Sequence, residues 1–194
     1  MIYARKAKYW AKTLGRLPGV LALFLSGSLA QGKGNKSSDI DFVIIAREGQ
    51  IWTARFFIFV LLKLTGQLAK PHRHAGKICP NHFLTHEHLE IQEKNDYSEK
   101  LFTANKPLYD PHNLFQAFQN ANAHWIKNFK AFTESRPNIP PVRGGPRGDG
   151  NFEALLKKIQ ISRIKANPEY LTPGAKIILS DTELRFHPKP KSTL

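Results

Sequence analysis

The chain reads as an α/β (α+β) protein: a small mixed β-sheet flanked by helices, followed by a mainly helical C-terminal region. Three observations predict this. Strand-length runs rich in apolar residues (Val20 to Ser26, Asp39 to Ala46, Lys77 to Thr85) alternate with helical segments. Pro18-Gly19, Gly27 and Gly49 punctuate them. Beyond Glu87 the sequence turns polar and amphipathic, with apolar residues three and four apart. The 194 residues are 41% hydrophobic, enough for one good core plus an appendage.

Each element has its own reason. Ile2 to Leu17 carries Ala, Lys, Arg and Leu, with Tyr3, Ala7, Trp10, Ala11 and Leu14 on one stripe, and Pro18-Gly19 stops it. Val20 to Ser26 is a buried strand. Gly27 turns the chain, and Ser28 to Gln31 begin a short helix. Gly32 to Ser38 is a polar loop. Asp39 to Ala46 is the second strand, with Ile44 and Ile45 buried. Gln50 to Leu68 is a core helix whose apolar run, broken by Arg55 and Lys63, falls far short of the ~20 residues that span a bilayer. Lys77 to Thr85 is a third strand, which Pro80 demotes to an edge, a bulge or a short strand.

Further on, Glu87 to Thr103 is helical in part, and Pro107 and Pro111 bracket a turn at Leu108 to Asp110. Leu114 to Phe132, with Phe115, Phe118, Ala121, Trp125, Phe129 and Phe132 at helical spacing, predicts a long amphipathic helix. Residues 136–150 are rich in Pro, Gly and Arg and read as a linker or loop. Asn151 to Ala166 returns to helix. Ala175 to Leu179 and Leu184 to Phe186 are short strands, and Pro188 to Leu194 is a frayed end. The expected organisation is a core over 1–90, a helical region over 91–135, the loop, and a C-terminal unit over 151–194.

Composition narrows the partners. With 29 Lys and Arg against 15 Asp and Glu, the net charge of +14 points to a polyanion such as RNA or DNA, or to a generally basic proteome. The single cysteine, Cys79, excludes an internal disulfide and suits the reducing cytoplasm. The basic N-terminus lacks the apolar stretch of a secretory signal, and no membrane association is expected. The oligomeric state has no signature.

The chemistry concentrates in Ser26 to Val43, SGSLAQGKGNKSSDIDFV. An apolar run ends at a Gly27-Ser28 turn, and the next strand enters through Asp39-Ile40-Asp41. Read alone, Asp-x-Asp is a strand with two solvent-facing acids. On a strand, Asp39 and Asp41 share a face. Paired carboxylates repel unless a cation sits between them, which is how a Mg2+ site for a nucleoside triphosphate is built. The Gly-Ser pair, a gap of about ten residues from Leu29 to Ser38, and Asp-x-Asp flanked by Ile40 and Phe42-Val43 resemble the DNA polymerase beta-like nucleotidyltransferase superfamily. The segments from Asn95 to Phe129 and from Ser180 to Pro188 resemble the tail of an uncharacterised prokaryotic set of such proteins.

The resemblance implies transfer of a nucleoside monophosphate from an NTP, with ATP expected, to an acceptor. Asp39 and Asp41 would hold Mg2+ or Mn2+. Gly27 would let the backbone approach the phosphates, and Ser28 would bind the triphosphate tail. Lys33 and Lys36 would neutralise phosphate charge. Catalytic members carry a third carboxylate on the later strand, and here Lys77 to Thr85 has no Asp or Glu. Asn81 is nearest the expected position, and it cannot accept a proton at neutral pH. Glu87 and Glu90 lie just beyond, and His82 is either a base or a structural histidine. His72-x-His74 and His86-x-His88 match no structural zinc spacing. The alternatives are a degenerate nucleotide- or RNA-binding protein and an antitoxin-like interaction partner.

Overall fold

The computed structural model describes residues 2–70, 72–127, 150–168 and 176–187. Helix α1 (Ala4–Leu14) buries Ala7, Trp10, Ala11 and Leu14. It is shorter than the composition suggests, because Tyr3 takes a left-handed conformation before it and the chain turns at Gly15. Gly19, at φ 79°, redirects the backbone into β1 (Val20–Leu25), every residue of which is buried. The four-residue α2 (Gly27–Ala30) follows, then β2 (Ile40–Ala46), α3 (Ile51–Leu64) and β3 (Ile78–Thr85). Next come α4 (Asp96–Ala104), β4 (Lys106–Tyr109), α5 (Leu114–Asn122), α6 (Gly150–Lys165), β5 (Lys176–Leu179) and β6 (Glu183–His187).

The strands form one six-stranded mixed sheet in the order β4-β1-β2-β3-β6-β5. Only β2 and β3 are parallel, and α3 makes the crossover between them. One face packs Leu23, Leu25, Phe42, Ile44, Phe83 and Leu184 beneath α1, α3 and α6. The other packs Phe24, Val43, Ile45 and Leu84 beneath α4 and α5, through Phe102, Leu114 and Phe118. Alternation along β2 thus sends Phe42 and Ile44 to the first face and Asp41, Val43 and Ile45 to the second.

Among the described residues, three helices are capped by side chains, one of them distant in sequence. Glu153 of α6 accepts from the backbone N–H of Trp52 at 2.7 Å and of Thr53 at 2.9 Å, which satisfies two N–H groups at the buried start of α3. Asp110 does the same for α5 through Leu114 and Phe115. Asn95 caps α4 through Ser98 N.

Of the edge, bulge or short strand expected for β3, the structure has the bulge: β3 is an interior strand between β2 and β6, and a register shift after Pro80 leaves Asn81 unpaired. Two sequence expectations are corrected. Leu108 to Asp110 is not a simple turn, since Lys106–Tyr109 is an edge strand on β1, where a proline is allowed. The helix expected over Leu114 to Phe132 stops at Asn122. Its buried side chain accepts from Ile91 N and Trp125 Nε1 and donates to Leu89 O, tying the helix end to the preceding loop. The linker expected at 136–150, Gly150 excepted, and the frayed end at 188–194 lie outside the described residues.

Candidate active site

The site is built where β1 and β2 begin to diverge. Ser26 N donates to Asp41 O at 3.0 Å, which seats the Gly27 turn directly over Asp41. Gly27 has φ 66°, and a Cβ there would overlap the Asp41 carboxylate. Glycine is therefore required twice, for the left-handed backbone and for the close approach. Ser28 Oγ lies 3.3 Å from Ser38 Oγ, and Lys33 N donates to Ser28 O at 2.9 Å. The gap loop is thereby knitted to the turn. Lys33 and Lys36 have exposed side chains on that loop.

Asp39 immediately precedes β2, and both acids are half-buried. The parallel register pairs Asp41 with Cys79, so their side chains share a face. The Cys79 thiol hydrogen-bonds both carboxylates. Asn81 Nδ2 donates to Asp41 Oδ1 at 2.9 Å. Burial, and then the Asp39 charge, push the Asp41 carboxyl up to about 7, against the opposing hydrogen bonds from Cys79 and Asn81. Burial and the same two acids hold the Cys79 thiol well above its usual value. No Lys, Arg or His among the described residues pairs with either acid. Two carboxylate oxygens and a thiol lie within 4.8 Å of one another, a donor set that fits a divalent cation.

Helix α4 roofs the cleft, which has a volume of about 50 Å3 and is walled by Gly27, Asp41, Asn81, Tyr97, Ser98 and Arg185. Burial, and then the Asp41 charge, raise the Tyr97 hydroxyl above its ordinary value. Arg185 on β6 is only 1% exposed. Its Nη2 donates to Ser98 Oγ at 2.9 Å, and Nη1 stands 3.4 Å from Glu93 Oε2. Its Nε has no hydrogen-bond partner. Arg185 lies two strands from Asp41, on the side away from the Gly27 turn.

The structure brings Gly27, Ser28, Asp39, Asp41 and Asn81 together. It does not deliver Glu87 or Glu90, which pair outward with His86 and with Lys94 and His124. His82 is structural: it is buried, its Nε2 lies 2.9 Å from Glu183 Oε1, and burial holds its pKa down. Glu183 also accepts from Gln92 N, so this carboxylate is committed to the fold. The histidine pairs form no metal cluster among the described residues. Sequence reasoning missed Cys79, although strand alternation from Asn81 places it on the same face. Nothing local signals Arg185, which arrives through the distant pairing of β6 with β3.

Residues 8–98 match the nucleotidyltransferase domain family. The match covers just under half of the chain. Two solved structures are similar in outline: a toxin–antitoxin bound to AMP-PNP (13% identity, 82% of this chain and 93% of that one, TM-score 0.37) and a mutant of the toxin–antitoxin MntA-HpeT (11%, 82% and 93%, TM-score 0.36). No curated protein matches. The matched segment runs from α1 into α4, so the Gly27 turn, both acids and Asn81 all fall inside it. Arg185 falls outside it. No helix among the described residues is long and apolar enough to cross a membrane.

Proposed function

We propose that this chain is a divalent-cation-dependent nucleotidyltransferase, moving a nucleoside monophosphate from an NTP, with ATP preferred, to an acceptor hydroxyl. The convergence of the Gly27 turn and both acids in one cleft carries this reading. Asp39 and Asp41 would hold Mg2+ or Mn2+, which when bound neutralises phosphate charge and serves the attacking and leaving oxygens. Gly27 admits the phosphates close to the backbone. The Ser28 amide and hydroxyl bind the tail, and Lys33 and Lys36 add charge from the gap loop. Asn81 fixes the Asp41 carboxylate rather than taking a proton. Attack forms an acceptor O–P bond and breaks the bond between the α-phosphorus and its bridging oxygen, releasing pyrophosphate, with the acceptor hydroxyl's proton passing to solvent.

Arg185 supports an anionic acceptor. Arg185 lines the cleft, its Nε has no hydrogen-bond partner among the described residues, and a buried guanidinium favours phosphate or carboxylate. With a net charge of +14, nucleic acid is the favoured acceptor. One observation favours a second reading, a nucleotide- or RNA-binding protein without turnover: β3 contributes no carboxylate to the cleft. Pyrophosphate release from NTPs in Mg2+ or Mn2+, with RNA added, separates the two. Release that disappears in Asp41→Ala supports transfer; nucleotide affinity without release supports binding alone.

A further inference from the structure

We propose that Cys79 is a metal ligand, so that this cleft holds a borderline-soft divalent cation such as Zn2+ or Co2+ more tightly than Mg2+. The inference rests on reading the cleft as a cation site and deepens it by naming the third donor.

The strand register carries the case. Asp41 and Cys79 are direct partners across parallel β2 and β3, and parallel neighbours project to the same side. Their donor atoms and that of Asp39 lie within 4.8 Å of one another. Asn81 is a poorer candidate, because its Nδ2 already points at Asp41 Oδ1 as a donor. Cys79 is therefore the third donor, on the same strand as the Asn81 position where the third carboxylate was sought.

A separate observation favours a cation in this pocket. The two acids have no basic partner among the described residues. A buried pair of like charges is costly unless it is neutralised. The Cys79 thiol carries one proton. Coordination would form an Sγ–metal bond and release that proton to solvent.

Donor chemistry then sets selectivity. Oxygen-only sites suit Mg2+, whereas a thiolate shifts preference along the divalent series toward Co2+ and Zn2+. Zn2+ accepts both Cys sulfur and Asp oxygen.

The test is titration of the purified chain with Co2+ alone, read by near-ultraviolet thiolate-to-cobalt charge-transfer absorption. The expected result is a saturable band, displaced by Zn2+ but not by a large excess of Mg2+. Cys79→Ser and Cys79→Ala should lose the band and at least ~10-fold in Co2+ affinity, the scale on which even outer groups of metal sites act. Cys79→Asp should reverse the preference toward Mg2+. Circular dichroism melts confirm that the variants fold, and the wild-type band itself needs no variant. Co2+ binding without the band, or a band that survives in Cys79→Ser, overturns the inference. The two readings fail separately. A band without nucleotide transfer removes the transferase and keeps the thiolate ligand. Mg2+-supported transfer that is unchanged in Cys79→Ser, with no band, does the reverse.

Discussion

Asn81 donates from Nδ2 to Asp41 Oδ1 across 2.9 Å, on the strand where a third carboxylate was expected. A neutral donor there lets two half-buried acids coexist without a third charge. Asn81→Asp should therefore destabilise the cation-free protein by about 1–3 kcal/mol, since a donor is replaced by a like charge. Added Mg2+ or Mn2+ should restore the melting temperature. Thermal melts with EDTA and with each cation check both halves; an unchanged cation-free melt contradicts the role given to Asn81.

Asp41 makes stability depend on pH in a defined direction. Its carboxyl is pushed up to about 7 in the fold, from an ordinary value of 3.8. The fold thus favours the neutral form. Stability from this group is full below pH ~4 and is lost as pH rises through about 7. His82, held low by burial, acts oppositely and only as pH falls through about 6.5. Urea midpoints of wild type minus those of Asp41→Asn isolate the Asp41 contribution. Without divalent cation the difference should move against wild type between pH 5 and pH 8, and saturating cation should abolish the trend.

Gly27→Ala should damage both backbone and site. A left-handed conformation costs a non-glycine residue about 1–2 kcal/mol, and the new Cβ would displace the Asp41 carboxylate. Stability should fall by that amount, and cation-dependent nucleotide binding should weaken at least ~10-fold, the response of a metal site whose ligand is misplaced. Calorimetric titration with a non-hydrolysable NTP measures the second effect.

Glu153→Ala is the structural counterpart. It strips two backbone N–H groups at the start of α3, and the Thr53 hydroxyl, of their acceptor. A loss of about 1–3 kcal/mol is expected, with the kinetics of the folded protein unchanged at low temperature. Paired melting and activity measurements on one preparation check it.

The local signals read well because their physics is local. Gly27-Ser28 followed by Asp39-x-Asp41 declares a turn and a shared strand face, and the structure places them together. Trp10, Ala11 and Leu14 announce a helix face by spacing alone. Contacts across long separations had no such signal. The β6 strand meets β3 about a hundred residues after it, bringing Arg185 over the cleft and Glu183 to His82. Pro80 suggested an edge, a bulge or a short strand because a proline removes a ladder donor; the bulge at Asn81 is the form taken inside the sheet. Cys79 was legible in principle, because strand alternation from Asn81 puts it on the same face, but its pairing with Asp41 depends on the β2–β3 register.

The most direct measurement is label transfer from α-labelled ATP, GTP, CTP and UTP in the presence of divalent cation. Total RNA, the protein itself and a small-molecule extract serve as acceptors, beside an Asp39→Ala/Asp41→Ala control. The account predicts label in an acceptor fraction with wild type, RNA foremost, and none with the control. Nucleotide bound with no label transferred to any fraction, or label transferred equally by the control, would contradict it.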